Sequence, residues 1–228
     1  MSNIQNNFIG RPYQLRYCAI LKAAPEPYKT FYGLLAGTGL RVGELCGLTV
    51  DDLDPGKNLM QVRQSAWRGK LGNPKNYESV RVVEISSLAS RQLMALLKTW
   101  HPNEQRLLFA SKNGTPWDQN LLLKRKLRPL LERLKIRVPT GNGFHAFRHA
   151  NATMMDRLGA PSKLRQQRLG HAGGSPITQT IYTHVVSEDE RRIAEQLGGA
   201  VWSSLLDHSG PENKNGSGVE PPKPFVVN

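Results

Sequence analysis

Apolar residues recur every third or fourth position along most of this chain, and every second position in one stretch between about residues 59 and 85. The first spacing predicts helices. "RPYQLRYCAILKAA" and "YKTFYGLLAGTG" read as two short ones, the second broken by the Gly37 to Gly39 pair. "RVGELCGL" resumes helix until the Asp, Pro and Gly of "TVDDLDPG" make a turn. The period then changes to two. "NLMQVRQSAW" and "SVRVVEIS" alternate and carry β-branched residues, so they read as strands, with "RGKLGNPKNYE" between them as a long hairpin tip or a short extra strand. Ser87 is the expected N-cap of "LASRQLMALLKTW", whose Leu88, Leu93, Leu96 and Leu97 face inward. "LLFASKNGTP" reads as a short extended piece and a turn, and Asp118 opens "QNLLLKRKLRPLLERLKI", which Pro129 is expected to kink or divide. From Phe144 onward helices return: 144 to 158, 162 to 169, a short one near 177 to 182, and 187 to 206. The expected fold class is mainly α with one small antiparallel β-sheet (α+β), without internal repeats.

Composition narrows the partners. A length of 228 residues with 39% apolar content suits one main domain. Thirty-one Lys and Arg against eighteen Asp and Glu give a formal charge of +13, which makes a polyanion, nucleic acid first, the natural partner. Cys18 and Cys46 have no second pair nearby, which fits neither a disulfide scaffold nor a zinc site. No apolar run approaches the roughly 20 residues that span a bilayer, and "MSNIQNNFIG" lacks a signal-peptide core. The expected location is therefore the cytoplasm, on the nucleoid when bound to DNA, with no membrane partner. The expected organisation is a flexible start over residues 1–10, a domain over 11–207, and a tail over 208–228. That tail is rich in Gly, Pro, Ser and Asn, too poor in apolar surface to offset its ordering entropy.

The densest chemistry lies in "GNGFHAFRHANAT". His145 and Arg148 are three apart and share a helix face, while His149 points elsewhere. A ring that takes up protons beside a guanidinium suits a core poorly, because a charge buried without a partner costs several kcal/mol. A bound anion removes that cost, since arginine's fork matches phosphate and histidine donates to it or moves a proton. The plain alternative is a helix end whose His and Arg reach solvent. Similar fragments recur: Arg41 follows a Gly-bounded turn at a helix start in "TGLRVGELCGL", His171 ends a helix in "RLGHAGG", and Tyr182 lies in "TQTIYTH".

The order Arg41, then His145-x-x-Arg148, then Leu-Gly-His171, then Tyr182 resembles the signature of the tyrosine recombinases, or phage-type integrases. The likeness runs from about residue 10 to 206 and implies that family's catalytic-domain fold. It also implies a lysine on a β-hairpin. "NPKNYESVRVVEI" is similar to the family's Pro-Lys-Thr segment, so Lys75 is assigned, with Lys70 as the competing candidate. The implied reaction is transesterification of a DNA phosphodiester through a covalent 3′-phosphotyrosyl intermediate. In it Tyr182 attacks, Lys75 protonates the leaving oxygen, Arg41 and Arg148 neutralise the nonbridging oxygens, His145 takes the tyrosine proton, and His171 donates to the phosphate. Neither metal nor nucleotide cofactor is required, and the sequence holds no clustered Asp and Glu of the kind two-metal nucleases use.

Other residues take plainer readings. Glu44 is expected to orient Arg41, and His149, Asn151 and His184 to pack or cap. Lys124, Arg125 and Lys126 are expected, with Lys70, to touch DNA phosphates. In the last helix Ile193, Leu197, Val201 and Leu205 form a stripe that either closes the core or, as the resemblance implies, docks on a neighbouring protomer in a homo-oligomer on DNA. Two departures from the family stand out. Arg41 follows only forty residues, so the separate N-terminal DNA-gripping domain is expected to be absent, and the path from His171 to Tyr182 is a residue or two longer than usual. The expected function is site-specific recombination or integration. A type IB topoisomerase-like nicking and resealing activity, or a DNA-binding regulator that keeps the fold without turnover, are the alternatives.

Overall fold

The computed structural model describes residues 12–72, 80–136, 143–170 and 187–206. Lys75, His171, Tyr182 and His184 lie outside the described residues, as do the helix expected near 177 to 182 and both termini.

At the centre is helix α2 (Tyr28–Thr38), which buries Thr30 through Ala36 and Thr38 and keeps almost no solvent face, as expected of a helix that is apolar nearly all round. Helices α1 (Pro12–Ala23), α4 (Ser87–Leu97), α7 (His145–Arg157) and α9 (Glu188–Leu206) pack around it. Phe31 of α2 meets Phe109 edge-on, ring centroids 5.0 Å apart, and Tyr32 stacks on Phe147 of α7 at 6.0 Å. From the other side the Trp202 indole of α9 fills the notch left by Gly33: a Cβ there would stand 2.0 Å from its Cη2. Gly33→Ala is therefore expected to cost about 1–3 kcal/mol through overpacking and to lower the thermal midpoint by several degrees; an unchanged midpoint would mean that α9 does not seat against α2.

The stripe on α9 is used within its own chain. Ile193 and Leu197 join Met155, Leu164 and Leu169 in a small second core, while Val201 and Trp202 enter the main one.

The β-structure is richer than one sheet. Strands β1 (Leu53–Asp54), β2 (Leu59–Val62) and β5 (Arg81–Glu84) form an antiparallel sheet in the order β1-β2-β5, with Leu59 opposite Glu84 and Val62 opposite Arg81. Strands β3 (Ser65–Trp67) and β4 (Lys70–Gly72) make a separate hairpin, so the extra strand is real. "NLMQVRQSAW" is thus two strands. Its alternation continues, with Met60, Val62 and Ala66 all buried, but its partner changes after Val62. There Gln64 Nε2 turns to the Gly47 carbonyl at 2.7 Å and the Arg63 guanidinium to the Asp52 carboxylate. β1 forms where the sequence pattern predicts a turn.

One further expectation needs correction. Ser86, not Ser87, caps α4, accepting the Ala89 N–H at 3.2 Å; Ser87 instead donates its N–H to Glu195 of α9 at 2.7 Å. Asp118 does cap α5 (Gln119–Leu122), and the helical run beyond it divides just before Pro129, as expected. One π turn, Leu123–Leu127, leads into α6 (Arg128–Arg133), with Pro129 in the first turn of α6. The wider turn accommodates the ring and the missing N–H that would disrupt a regular α-helix.

Candidate functional site

Helix α8 (Ser162–Leu169) ends at Gly170, which adopts φ 61° and ψ 47°. That left-handed cap stops the helix and exposes its last carbonyls, which need donors and, at the negative end of the helix dipole, favour cations. Three arginines from three other elements supply them. The Arg168 carbonyl accepts from Arg81 Nε at 3.0 Å, the Leu169 carbonyl from Arg148 Nη2, and the Gly170 carbonyl from Arg41 Nη2 at 3.3 Å. A side chain at position 170 would collide with this arrangement, its Cβ standing 2.8 Å from Arg81 Nη1.

Each arginine is placed by local structure. Arg41 is the N-cap of α3 (Val42–Cys46), an extended residue just after the left-handed Gly39 that ends α2. Arg81 begins β5. Arg148 lies one turn into α7, with Nη1 on the Gly39 carbonyl at 2.8 Å. Glu44 sits between them. Its Oε1 takes Arg41 Nη1 at 3.0 Å and Arg81 Nη1 at 3.1 Å, while Oε2 takes the Arg41 N–H and Arg81 Nη2, both at 2.9 Å. The expected orienting role of Glu44 is thus visible in the geometry, with Arg81 as its larger partner.

Arg41, Arg81 and Arg148 crowd around Glu44, and Arg41 and Arg81 each repel the Arg148 guanidinium. Burial, followed by the repulsion of Arg41, pushes the Arg148 guanidinium down to about 10. Burial also pushes the Glu44 carboxyl up, but its hydrogen bonds and attraction to Arg81, helped by Arg41, outweigh this and hold it below the usual carboxylate value. Arg148 is 9% exposed, whereas the Arg41 side chain is 42% exposed, so the cluster opens to solvent on the Arg41 side. Partly buried cations that repel one another favour an anion beside them, and the guanidinium fork matches phosphate oxygens.

The remaining expectations divide. His145 is exposed at the first residue of α7, one turn before Arg148, and His149, expected to pack or cap, is exposed too. Asn151 does pack: it is fully buried and donates to the Ala36 carbonyl at 2.7 Å. Lys70 is exposed on β4 opposite Trp67, which is itself 62% exposed. Lys124, Arg125 and Lys126 are exposed on the π turn, with the Lys126 ammonium 5.0 Å from the Tyr28 ring centroid. Among the described residues no helix is long and apolar enough to cross a membrane.

The sequence pattern does not single out Arg81 and Arg168, although it carries a signal for both. Arg81 shares a strand face with Val83 and Ile85, and Arg168 a helix face with Leu164, all buried. A cation at an apolar position of a periodic element marks a buried charge partner.

A helical domain that gathers arginines from distant parts of the chain at the end of one helix is suited to hold an anion, and comparison with known proteins makes the class specific. The chain belongs to the phage integrase family, whose model matches residues 14–189. It is 32% identical to a XerC-like tyrosine recombinase of Caldanaerobacter subterraneus over 74% of this chain and 48% of that protein. It is also 32% identical to the tyrosine recombinase XerA of Pyrococcus horikoshii over 72% of this chain and 52% of that protein. The chain therefore spans about half the length of the curated relatives it matches. Among solved structures, a XerA recombinase superimposes with a TM-score of 0.57 at 26% identity, covering 80% of this chain and 62% of that one. The Tn1549 transposon integrase in complex with circular intermediate DNA gives 0.62 at 22% identity, covering 82% and 65%, and supports the fold.

Proposed function

We propose that this chain is the catalytic part of a site-specific DNA recombinase or integrase, which cleaves and rejoins DNA through a 3′-phosphotyrosyl intermediate without a metal ion. The observation that carries this reading is the convergence of Arg41, Arg81 and Arg148, from three separate elements, on the carbonyls that end α8 and on Glu44 beside them. Membership of the phage integrase family, whose model matches residues 14–189, supports it. The partner is double-stranded DNA; the Tn1549 transposon integrase, which shares the fold, is solved in complex with circular intermediate DNA.

In the proposed step the Tyr182 phenol oxygen attacks the scissile phosphorus, a new P–O bond forms, and the bond to the 5′ oxygen breaks. A phenol with a pKa of about 10 is mostly protonated at neutral pH, so a base must take its proton, and His145 is assigned that role. Lys75 returns a proton to the departing 5′ oxygen. Arg41 and Arg148 hold the nonbridging oxygens as charge accumulates on them, His171 donates to the same phosphate, and Arg81 with Glu44 holds the arginines in place. The phosphotyrosyl bond preserves the ester's energy, so rejoining runs by the reverse displacement with no nucleotide cofactor. Lys70, Lys124, Arg125 and Lys126 are assigned to the DNA backbone, and exchange between sites implies a homo-oligomer on DNA.

The test is a DNA duplex nicked beside the cleavage position, so that the short 5′ product diffuses away and the protein stays attached. A band resistant to denaturation, formed equally in EDTA, is the expected result. DNA binding without such a band would contradict strand transfer and favour a regulator. A band accompanied only by relaxation of supercoiled plasmid would replace recombination with nicking and resealing.

A further inference from the structure

The end of α8 is gripped from behind by a second set of charges that the proposed chemistry does not use. Arg168 is 1% exposed. Its Nη1 donates to Glu190 Oε1 of α9 at 3.4 Å, and the same oxygen accepts the backbone N–H of Glu84 in β5 at 3.5 Å. The Glu84 carboxylate, 4% exposed, meets Arg191 Nε at 3.3 Å. Arg168 Nε and Nη2 and Glu84 Oε2 have no hydrogen-bond partner among the described residues. Burial pushes the Arg168 guanidinium down and the Glu84 carboxyl up, so leaving water penalises the charged form of each. As a stabiliser this is poor design, because well-packed apolar side chains of the same volume hold a fold as well or better.

Its position points to a different use. The side chain of Arg168 is anchored to Glu190 of α9, whose carboxylate also takes the backbone of β5, while its carbonyl and the next two hold Arg81, Arg148 and Arg41. Moving the Arg168 side chain therefore moves all three acceptors together. We infer that Arg168, Glu84 and Glu190 are positioning residues, a buried ion cluster that fixes the final turn of α8 and, through its carbonyls, the three guanidinium groups of the phosphate pocket. This rests on the reading of that pocket as the seat of the scissile phosphate. Because Glu190 belongs to the first turn of α9, the packing of the last helix contributes to the geometry of the pocket.

The test compares two nicked duplexes in the full chain, one with an ordinary scissile phosphate and one with a neutral methylphosphonate, in which a methyl group replaces a nonbridging oxygen. The neutral ester carries no charge for the guanidinium groups to balance, so a change that acts by displacing them costs less on it. Glu190→Gln is expected to slow adduct formation about tenfold or more on the phosphate, because small misplacements of reacting groups carry such penalties, with a clearly smaller loss on the methylphosphonate and unchanged DNA affinity. Glu84→Gln, which keeps the Arg168 to Glu190 contact, is expected to show the same pattern more weakly, and it carries the comparison if Glu190→Gln does not fold. Equal fold-losses on the two substrates, or no loss on the phosphate, would overturn the inference while leaving strand transfer intact. Failure of the unaltered chain to form any adduct would remove the pocket's role and this inference with it.

Discussion

Arg148→Ala is expected to lower covalent adduct formation by roughly 10²–10³-fold, the usual penalty for removing one preorganised donor from a developing oxyanion. DNA affinity should fall far less, since one phosphate contact is a small part of a large electrostatic term; the salt dependence of binding should weaken by about one contact. The geometry adds a structural effect to the catalytic one. Arg148 also satisfies the Gly39 and Leu169 carbonyls, so alanine leaves both unpaired and lowers the melting temperature as well. Arg148→Lys separates these effects: it keeps a cation but loses the fork, and it is expected to cleave at an intermediate rate. The assignment is contradicted if binding and cleavage fall in proportion, because that would make Arg148 an ordinary backbone contact.

Glu44→Gln carries the largest expected effect on stability. Glu44 and Arg81 are each 6% exposed and joined by two hydrogen bonds, and breaking a buried pair by removing one partner costs about 3–5 kcal/mol. For a chain of this size that is a fall of roughly 10 °C in melting temperature. The pH dependence follows from the direction of the shift. The folded carboxyl lies below its ordinary value of 4.5, so its stabilisation is fully present above that value and is lost as pH falls through the depressed one. The unaltered chain should therefore lose stability with acid in that window, and the Glu44→Gln variant should lose correspondingly less there. Matching acid profiles for the two proteins would show that Glu44 is not held as a charged partner. Below its melting temperature the variant should also form adduct more slowly, because Arg41 and Arg81 lose their common anchor.

Much of this is legible in the sequence because local rules and tertiary packing agree. Phe144 to Leu158 and Ser162 to Leu169 carry helical spacing and clear stops, and both helices stand within a residue of the expected bounds. Asp118 caps α5 because a short carboxylate before an apolar run has little else to do. The differences arise where a distant partner decides the outcome. Nothing near Val62 reveals that its neighbour strand begins at Arg81, so the break between β2 and β3 cannot be read locally. Ser86 and Ser87 are equivalent as caps until Glu195, more than a hundred residues on, engages the second.

The site divides in the same way. Arg41 and Arg148 are recognisable because the family pattern spaces them, and Glu44 because it lies one turn from Arg41. Arg81 begins a strand, on the same face as Val83 and Ile85, where alternation marks it as buried without naming its partner. Its role emerges only from the convergence of β5 with α3 and α8. His145 stands on the helix as the spacing predicts, and of the two readings open for it and Arg148 each takes one: His145 reaches solvent at the helix end, while Arg148 is buried.

The most direct test of the central claim is tandem mass spectrometry of the peptide left attached to DNA after reaction with a nicked duplex and nuclease digestion. A nucleotide phosphate on the Tyr182 oxygen, absent when that residue is phenylalanine, is the predicted result. A phosphate bonded to any other side chain, or an adduct that persists in Tyr182→Phe, would contradict it.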